Sequence, residues 1–132
     1  MAIVGVGVDV VDVARFQLAL DRRARIVERL FTEGEQRDAR GRTERLAARF
    51  AAKEAVMKTL GVGVGSVPWR TIEVVRRPSG APTIAVHAAA AELARRRGVT
   101  RWHVSLTHSD ATAIAMVVGE GEGESEGDDD AR

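Results

Sequence analysis

Every second residue from Val4 to Val10 is valine, and the positions around them are Ile3, Gly5, Gly7, Asp9 and Val11. A two-residue period sends these two sets to opposite faces of an extended strand. One face is then a β-branched ridge. The other is stripped of side chains at Gly5 and Gly7, which lets a ligand or a second backbone come close to Asp9. The expected strand is Ile3 to Val11.

The period then changes. Asp12 is suited to cap a helix reaching about Leu30, with Val13, Phe16, Ala19, Leu20 and Val27 inward. Thr32-Glu33-Gly34-Glu35 resembles a capping box for a short helix. A long helix is expected from Thr43 to Leu60, striped by Leu46, Phe50, Met57 and Leu60, and ended by Gly61. Thr71 to Arg76 and Pro82 to Val86 flank Pro78-Ser79-Gly80-Ala81, a hairpin signal. A helix from His87 to Arg97 follows, then strands Trp102 to Leu106 and Ala113 to Val118. Helices mixed with antiparallel strands argue an α+β fold.

At 132 residues the chain fits one domain, expected over residues 1–119. No cysteine is present, which excludes disulfides, thiolate metal sites and cysteine nucleophiles. No apolar run approaches the ~20 residues of a membrane span, so a cytoplasmic protein without membrane attachment is expected. Seven acids and one arginine lie in residues 120–132, a glycine-acid stretch expected to be a disordered tail. The body before it carries +7. A basic body suits an anionic partner: nucleic acid, an acidic protein or a phosphorylated metabolite.

Individual residues each carry two readings. Asp9 is either an acid exposed for ligand binding or a strand-end aspartate helping to cap the next helix. Glu54 projects between Ala47 and Phe50, toward the core side of its helix. It is either half of a cation site or the partner of Lys58 in an ordinary i,i+4 pair. Two carboxylates from separate elements suit magnesium, which keeps waters and takes phosphate oxygens. Lys53, Lys58, Gly61, Gly63 and Gly65 set ammonium groups beside a glycine turn, as phosphate binding requires, although most such glycines simply end helices. Ser105, His108 and Asp110 are too close in sequence to stack as a catalytic triad. His108 is better suited to donate to phosphate, or has no role. Arg15, Arg22 and Arg29 recur every seven residues, with Arg25 beside them, and form a solvated face or a docking surface for an acidic helix.

Taken together, these segments resemble the holo-acyl-carrier-protein synthase family of phosphopantetheinyl transferases. Gly5-Val6-Gly7-Val8-Asp9-Val10-Val11 is similar to its opening strand, and Arg49-Phe50-Ala51-Ala52-Lys53-Glu54-Ala55-Val56-Met57-Lys58-Thr59-Leu60-Gly61 to its signature helix. Gly80-Ala81-Pro82 resembles its hairpin element, and Val104-Ser105-Leu106-Thr107-His108-Ser109 its penultimate strand and loop. The resemblance implies a homotrimeric α+β enzyme with active sites at subunit interfaces. It would move phosphopantetheine from coenzyme A to apo-acyl-carrier protein. It further implies Asp9 and Glu54 as magnesium ligands, with Lys58 at the diphosphate. Lys53, Gly61, Gly63, Gly65 and His108 would lie near coenzyme A, and Arg15, Arg22 and Arg25 would meet the carrier. Val62 departs from the family's threonine, the Arg40-Gly41-Arg42 linker is short, and the acidic tail has no counterpart. The rival readings are a basic module binding nucleotide or RNA, for which aromatic residues are few, and a non-catalytic trimeric interaction protein.

Overall fold

The computed structural model describes residues 1–122. Strand β1 (Ala2–Asp12) pairs antiparallel with β5 (Thr112–Gly121), which pairs in turn with β4 (Arg101–His108). Hairpin β2 (Ile72–Arg76) and β3 (Pro82–Val86) forms a second small sheet, and β3 lies against β4. Helix α4 (Thr43–Thr59) runs across the three-stranded sheet and also meets α1 (Val13–Arg22), α3 (Glu33–Ala39) and β2. The α+β expectation holds.

The glycine face of β1 receives a backbone. A Cβ on Gly5 would lie 2.2 Å from the Thr59 carbonyl oxygen, and one on Gly7 would lie 2.0 Å from that of Ala55. The helix contributes small residues in return: Ala47, Ala48, Ala51, Ala52 and Ala55 are all buried. Helix and strand therefore pack almost backbone to backbone, with Val56 and Met57 completing the interior.

The valine face points the other way. Val6, Val8 and Val10 are 53%, 48% and 59% exposed. Register sets Val6 beside Val118, Val8 beside Met116 and Val10 beside Ile114. The outer face of the sheet is thus apolar across two strands, a feature that marks interaction surfaces.

Asp12 caps α1 as expected, accepting from the Arg15 backbone N–H at 2.9 Å. The expected single helix to Leu30 is a correction: α1 stops at Arg22, Arg25 takes the left-handed conformation (φ 68°), and α2 (Ile26–Leu30) begins afresh. The break turns α2 onto the 3₁₀ turn Trp69–Thr71, which the sequence reading also lacked. The Thr32–Glu35 capping box of α3 is present with both reciprocal bonds. Helix α5 spans Ala88–Arg96. β5 extends through Gly121, two residues into the segment expected as tail, and residues 123–132 lie outside the described part. Among the described residues no helix is long and apolar enough to cross a membrane.

Candidate active site

Asp9 sits on the inner face of β1 beyond Gly7, where close packing of α4 brings Glu54 and Lys58 over it. The side chain is only 13% exposed. Lys58 Nζ donates to Asp9 Oδ1 at 2.8 Å and to the Val8 carbonyl at 3.0 Å. Glu54 is half-buried, and its carboxyl shares a hydrogen bond with Asp9. Burial, that hydrogen bond and the neighbouring negative charge push the Glu54 pKa up to about 8, against an opposing pull from Lys58. The Lys58 ammonium is shifted upward, first through its bond to Asp9. Two neighbouring carboxyl groups beside one lysine form a place where a cation would relieve repulsion. Among the described residues no cluster of three or more His, Cys, Asp or Glu side chains exists, so protein ligands at any one point are few. Two oxygen donors with room for water and phosphate fit magnesium better than zinc.

A second basic feature lies on the opposite edge of the sheet. Arg45, Arg49, Arg76 and His108 line a cavity of about 260 Å³, closed by Ala48, Gly80, Pro82 and Leu106. Arg49 is 6% exposed, donates from Nη1 to the Arg45 carbonyl at 3.1 Å, and has no partner at Nε. Burial lowers its pKa, opposed by Glu35 and Asp38. A buried guanidinium with an unused donor is suited to an anion. His108 ends β4, whereas Asp9 lies on β1, with β5 between them. Two strand spacings of about 4.8 Å each therefore separate them. Around α4, Arg49 and Glu54 project ~140° apart. None of Asp9, Glu54 and Lys58 lines the basic cavity of the same chain.

Several sequence expectations change here. Lys53 does not reach a ligand surface. It is fully buried, and its ammonium is held by Glu35 at 2.7 Å and by the carbonyls of Trp69 and Ile72 at 3.0 and 2.5 Å. All three donors are used inside the fold, so coenzyme A contact is replaced by a structural role. Gly61 closes α4: at φ 73° its N–H bonds the Lys58 carbonyl, while Val62 N–H bonds that of Met57. Gly63 and Gly65 are exposed in the following turn, within the stretch that leaves the Lys58 end of the helix. Ser105 and His108 fall on opposite faces of β4 by alternation, in keeping with the rejected triad.

Arg15 and Arg22 are exposed on α1, and Arg25 is exposed at the start of α2. Arg29 belongs to α2, so the seven-residue repeat with Arg15 and Arg22 does not describe one helix face. Beside Arg22 and Arg23 opens a groove of about 380 Å³ walled by Phe16, Leu20, Ile26, Leu30, Phe50 and Trp69. Phe50 stacks on Trp69 at 4.8 Å and meets Phe16 at 5.3 Å. Sequence reasoning missed this groove because Phe16 and Phe50 read as ordinary core stripes. It also missed Arg45 and Arg49; their i,i+4 spacing on an otherwise alanine-rich face was the available signal.

The profile of the 4′-phosphopantetheinyl transferase superfamily matches residues 5–117. The chain belongs to this superfamily. The holo-[acyl-carrier-protein] synthase of Frankia alni is 52% identical over 118 residues, which is 89% of this chain and 98% of the relative. The acyl carrier protein synthase structure from Mycobacterium tuberculosis is 41% identical, with a TM-score of 0.74 over 91% of this chain and 99% of that one. A Bacillus anthracis holo-(acyl-carrier-protein) synthase in complex with CoA (3′,5′-ADP) is 35% identical, with a TM-score of 0.73 over 91% and 98%. For a 4′-phosphopantetheinyl transferase, the acid pair, the basic cavity and the arginine-rimmed groove supply three surfaces of different chemistry.

Proposed function

We propose that this chain transfers 4′-phosphopantetheine from coenzyme A to a serine of apo-acyl-carrier protein, releasing adenosine 3′,5′-bisphosphate. The observation that carries the reading is the Asp9–Glu54 pair held beside Lys58 at the join of β1 and α4, in a chain whose relatives are holo-acyl-carrier-protein synthases. The alternative of a nucleotide- or RNA-binding module finds no support among those relatives.

Asp9 and Glu54 would hold magnesium, which supplies neutralisation of the diphosphate and of charge on the leaving oxygen. Lys58 adds a fixed positive charge for the same oxygens. The carrier serine oxygen bonds to the phosphorus bearing pantetheine as the bond to the adenosine bisphosphate breaks. Glu54, once deprotonated, is our assignment for the acceptor of the serine proton. Arg45, Arg49, Arg76 and His108 offer the cationic cavity that an adenosine bisphosphate needs, and Gly61, Gly63 and Gly65 border the path from Lys58. Arg15, Arg22 and Arg25 with the neighbouring groove would receive the carrier: arginines for its acids, the apolar walls for its helix. We place the reaction in the cytoplasm.

The same reading makes the enzyme a homotrimer. The exposed valine, isoleucine and methionine side chains of β1 and β5 provide an apolar face for association. A ring would set the basic cavity of one subunit opposite the acid pair of the next, in keeping with a cavity lining that includes none of Asp9, Glu54 and Lys58. The test of function is direct. Incubation with coenzyme A, magnesium and an apo carrier should raise the carrier's mass by one phosphopantetheine. Glu54→Gln and Asp9→Asn should abolish the gain while keeping the circular-dichroism spectrum. An unmodified carrier with the unsubstituted enzyme, or near-normal turnover by either variant, would overturn the assignment.

A further inference from the structure

Among the described residues, Lys53 and Glu35 are the two fully buried charged residues, at 0% exposure each, and the proposed chemistry uses neither. Glu35 is as fully engaged as its partner. Its Oε1 accepts the Thr32 N–H at 2.9 Å, and its Oε2 accepts the Val74 N–H at 2.8 Å. A buried ion pair is seldom more stable than packed apolar side chains of the same volume, so it adds little to stability as such. What it does is fix positions.

Three segments meet at this pair. Lys53 stands one turn beyond Phe50 on α4. Its bonds to the Trp69 and Ile72 carbonyls bracket the 3₁₀ turn that presents the Trp69 indole, stacked on Phe50. Glu35 ties down the first turn of α3 through Thr32, immediately after Leu30 and Phe31. The Phe31 ring lies 5.5 Å from Lys53 Nζ. Phe50, Trp69 and Leu30 are walls of the groove beside Arg22 and Arg23. We infer that Glu35–Lys53 is a positioning pair that sets the spacing of those walls, and thereby the fit of the carrier protein. The inference rests on the groove being the carrier's docking surface. Its partners do not include Asp9, Lys58 or His108, and Glu54, the next residue, projects ~100° away around the helix.

The test uses the full chain with both charges removed, Glu35→Gln with Lys53→Met. This keeps volume and leaves no orphaned charge, and the glutamine oxygen can still accept a backbone N–H. The KM for apo carrier should rise about threefold to tenfold, with kcat and the coenzyme A KM within about twofold. In a Trp102→Phe background, Trp69 emission should shift to the red. Should the double variant not fold, Lys53→Arg carries the same test, because it keeps the ion pair but cannot reproduce both carbonyl bonds; the same split in KM is expected. An unchanged carrier KM, with or without the drop in apparent kcat alone that a smaller folded fraction gives, would overturn the inference. Leu20→Glu in the groove separates the two levels. If it leaves the carrier KM unchanged, the docking surface lies elsewhere and both readings fall. If it raises that KM while the double variant does not, the positioning role alone falls.

Discussion

Glu54 holds its proton well above the ordinary carboxylate range, from 4.5 to about 8, and this has a consequence for stability. Between those values the folded chain binds one proton more than the unfolded chain. The stability contributed by this group is therefore full below about 4.5 and declines as pH rises toward 8. Without metal, we expect the melting temperature to carry a downward slope over that window, and Glu54→Gln to flatten it. Magnesium needs both carboxylates ionised, so its stabilising effect should grow from about pH 6 to about pH 8 as proton competition fades. A magnesium-induced shift in melting temperature that is the same across the window would contradict this. Asp9 and Glu54 were legible because glycines thin one face of β1 and because a carboxylate on a core-facing helix position needs a partner. Lys53 was not. Its spacing on α4 looks like that of any phosphate-binding lysine, and the partner that buries it, Glu35, belongs to another helix.

Helix α4 lies against β1 so closely that Gly7 sets the height of the whole site. In Gly7→Ala the new methyl would stand 2.0 Å from the Ala55 carbonyl oxygen, one residue past Glu54. The helix must rise, at a cost of roughly 1–3 kcal/mol, and the Asp9–Glu54 pair opens. We expect a lowered melting temperature together with a transfer rate reduced by more than the unfolded fraction explains. An unaltered rate would show that the pair tolerates the displacement. At the proposed carrier face, Arg22→Glu should raise the carrier KM and blunt its salt dependence, since interface charges act over a screening length of ~10 Å at 0.1 M. Identical kinetics at low salt would move the docking face. Strand β1 was readable because its burial alternates with its own period. Helix α4 was readable because a run free of glycine and proline lies between Gly41 and Gly61, although the helix is buried on nearly every side. The β2–β3 hairpin was readable because Pro78-Ser79-Gly80 marks its turn. The break between α1 and α2 was hidden: the apolar spacing continues past Arg22, and neither glycine nor proline marks Arg25, whose φ is 68°. The bending follows from packing of α2 on the Trp69 turn, which no local window contains.

The whole molecule presents an unpaired apolar sheet face and a site whose parts lie on opposite edges of that sheet. The proposed trimer would account for both. Val8→Glu, at the centre of the outer face between Val6 and Val10, should give a folded monomer by sedimentation that lacks transfer activity. A trimer that survives this charge would place the interface elsewhere. The sequence supplied the alternation that makes the face, but whether the valine or the glycine side turns to solvent was decided by the alanine-rich helix 40 residues on. The sharing of one site between subunits is best tested with Asp9→Asn and His108→Ala, unfolded and refolded together. In a ring each interface has two different sides, and each variant spoils one. Random equal mixing should restore roughly a quarter of the unsubstituted rate, carried entirely by mixed trimers identified by native mass spectrometry, although each variant alone is inactive. Mixed trimers no more active than their parents would mean that Asp9 and His108 serve the same subunit's site.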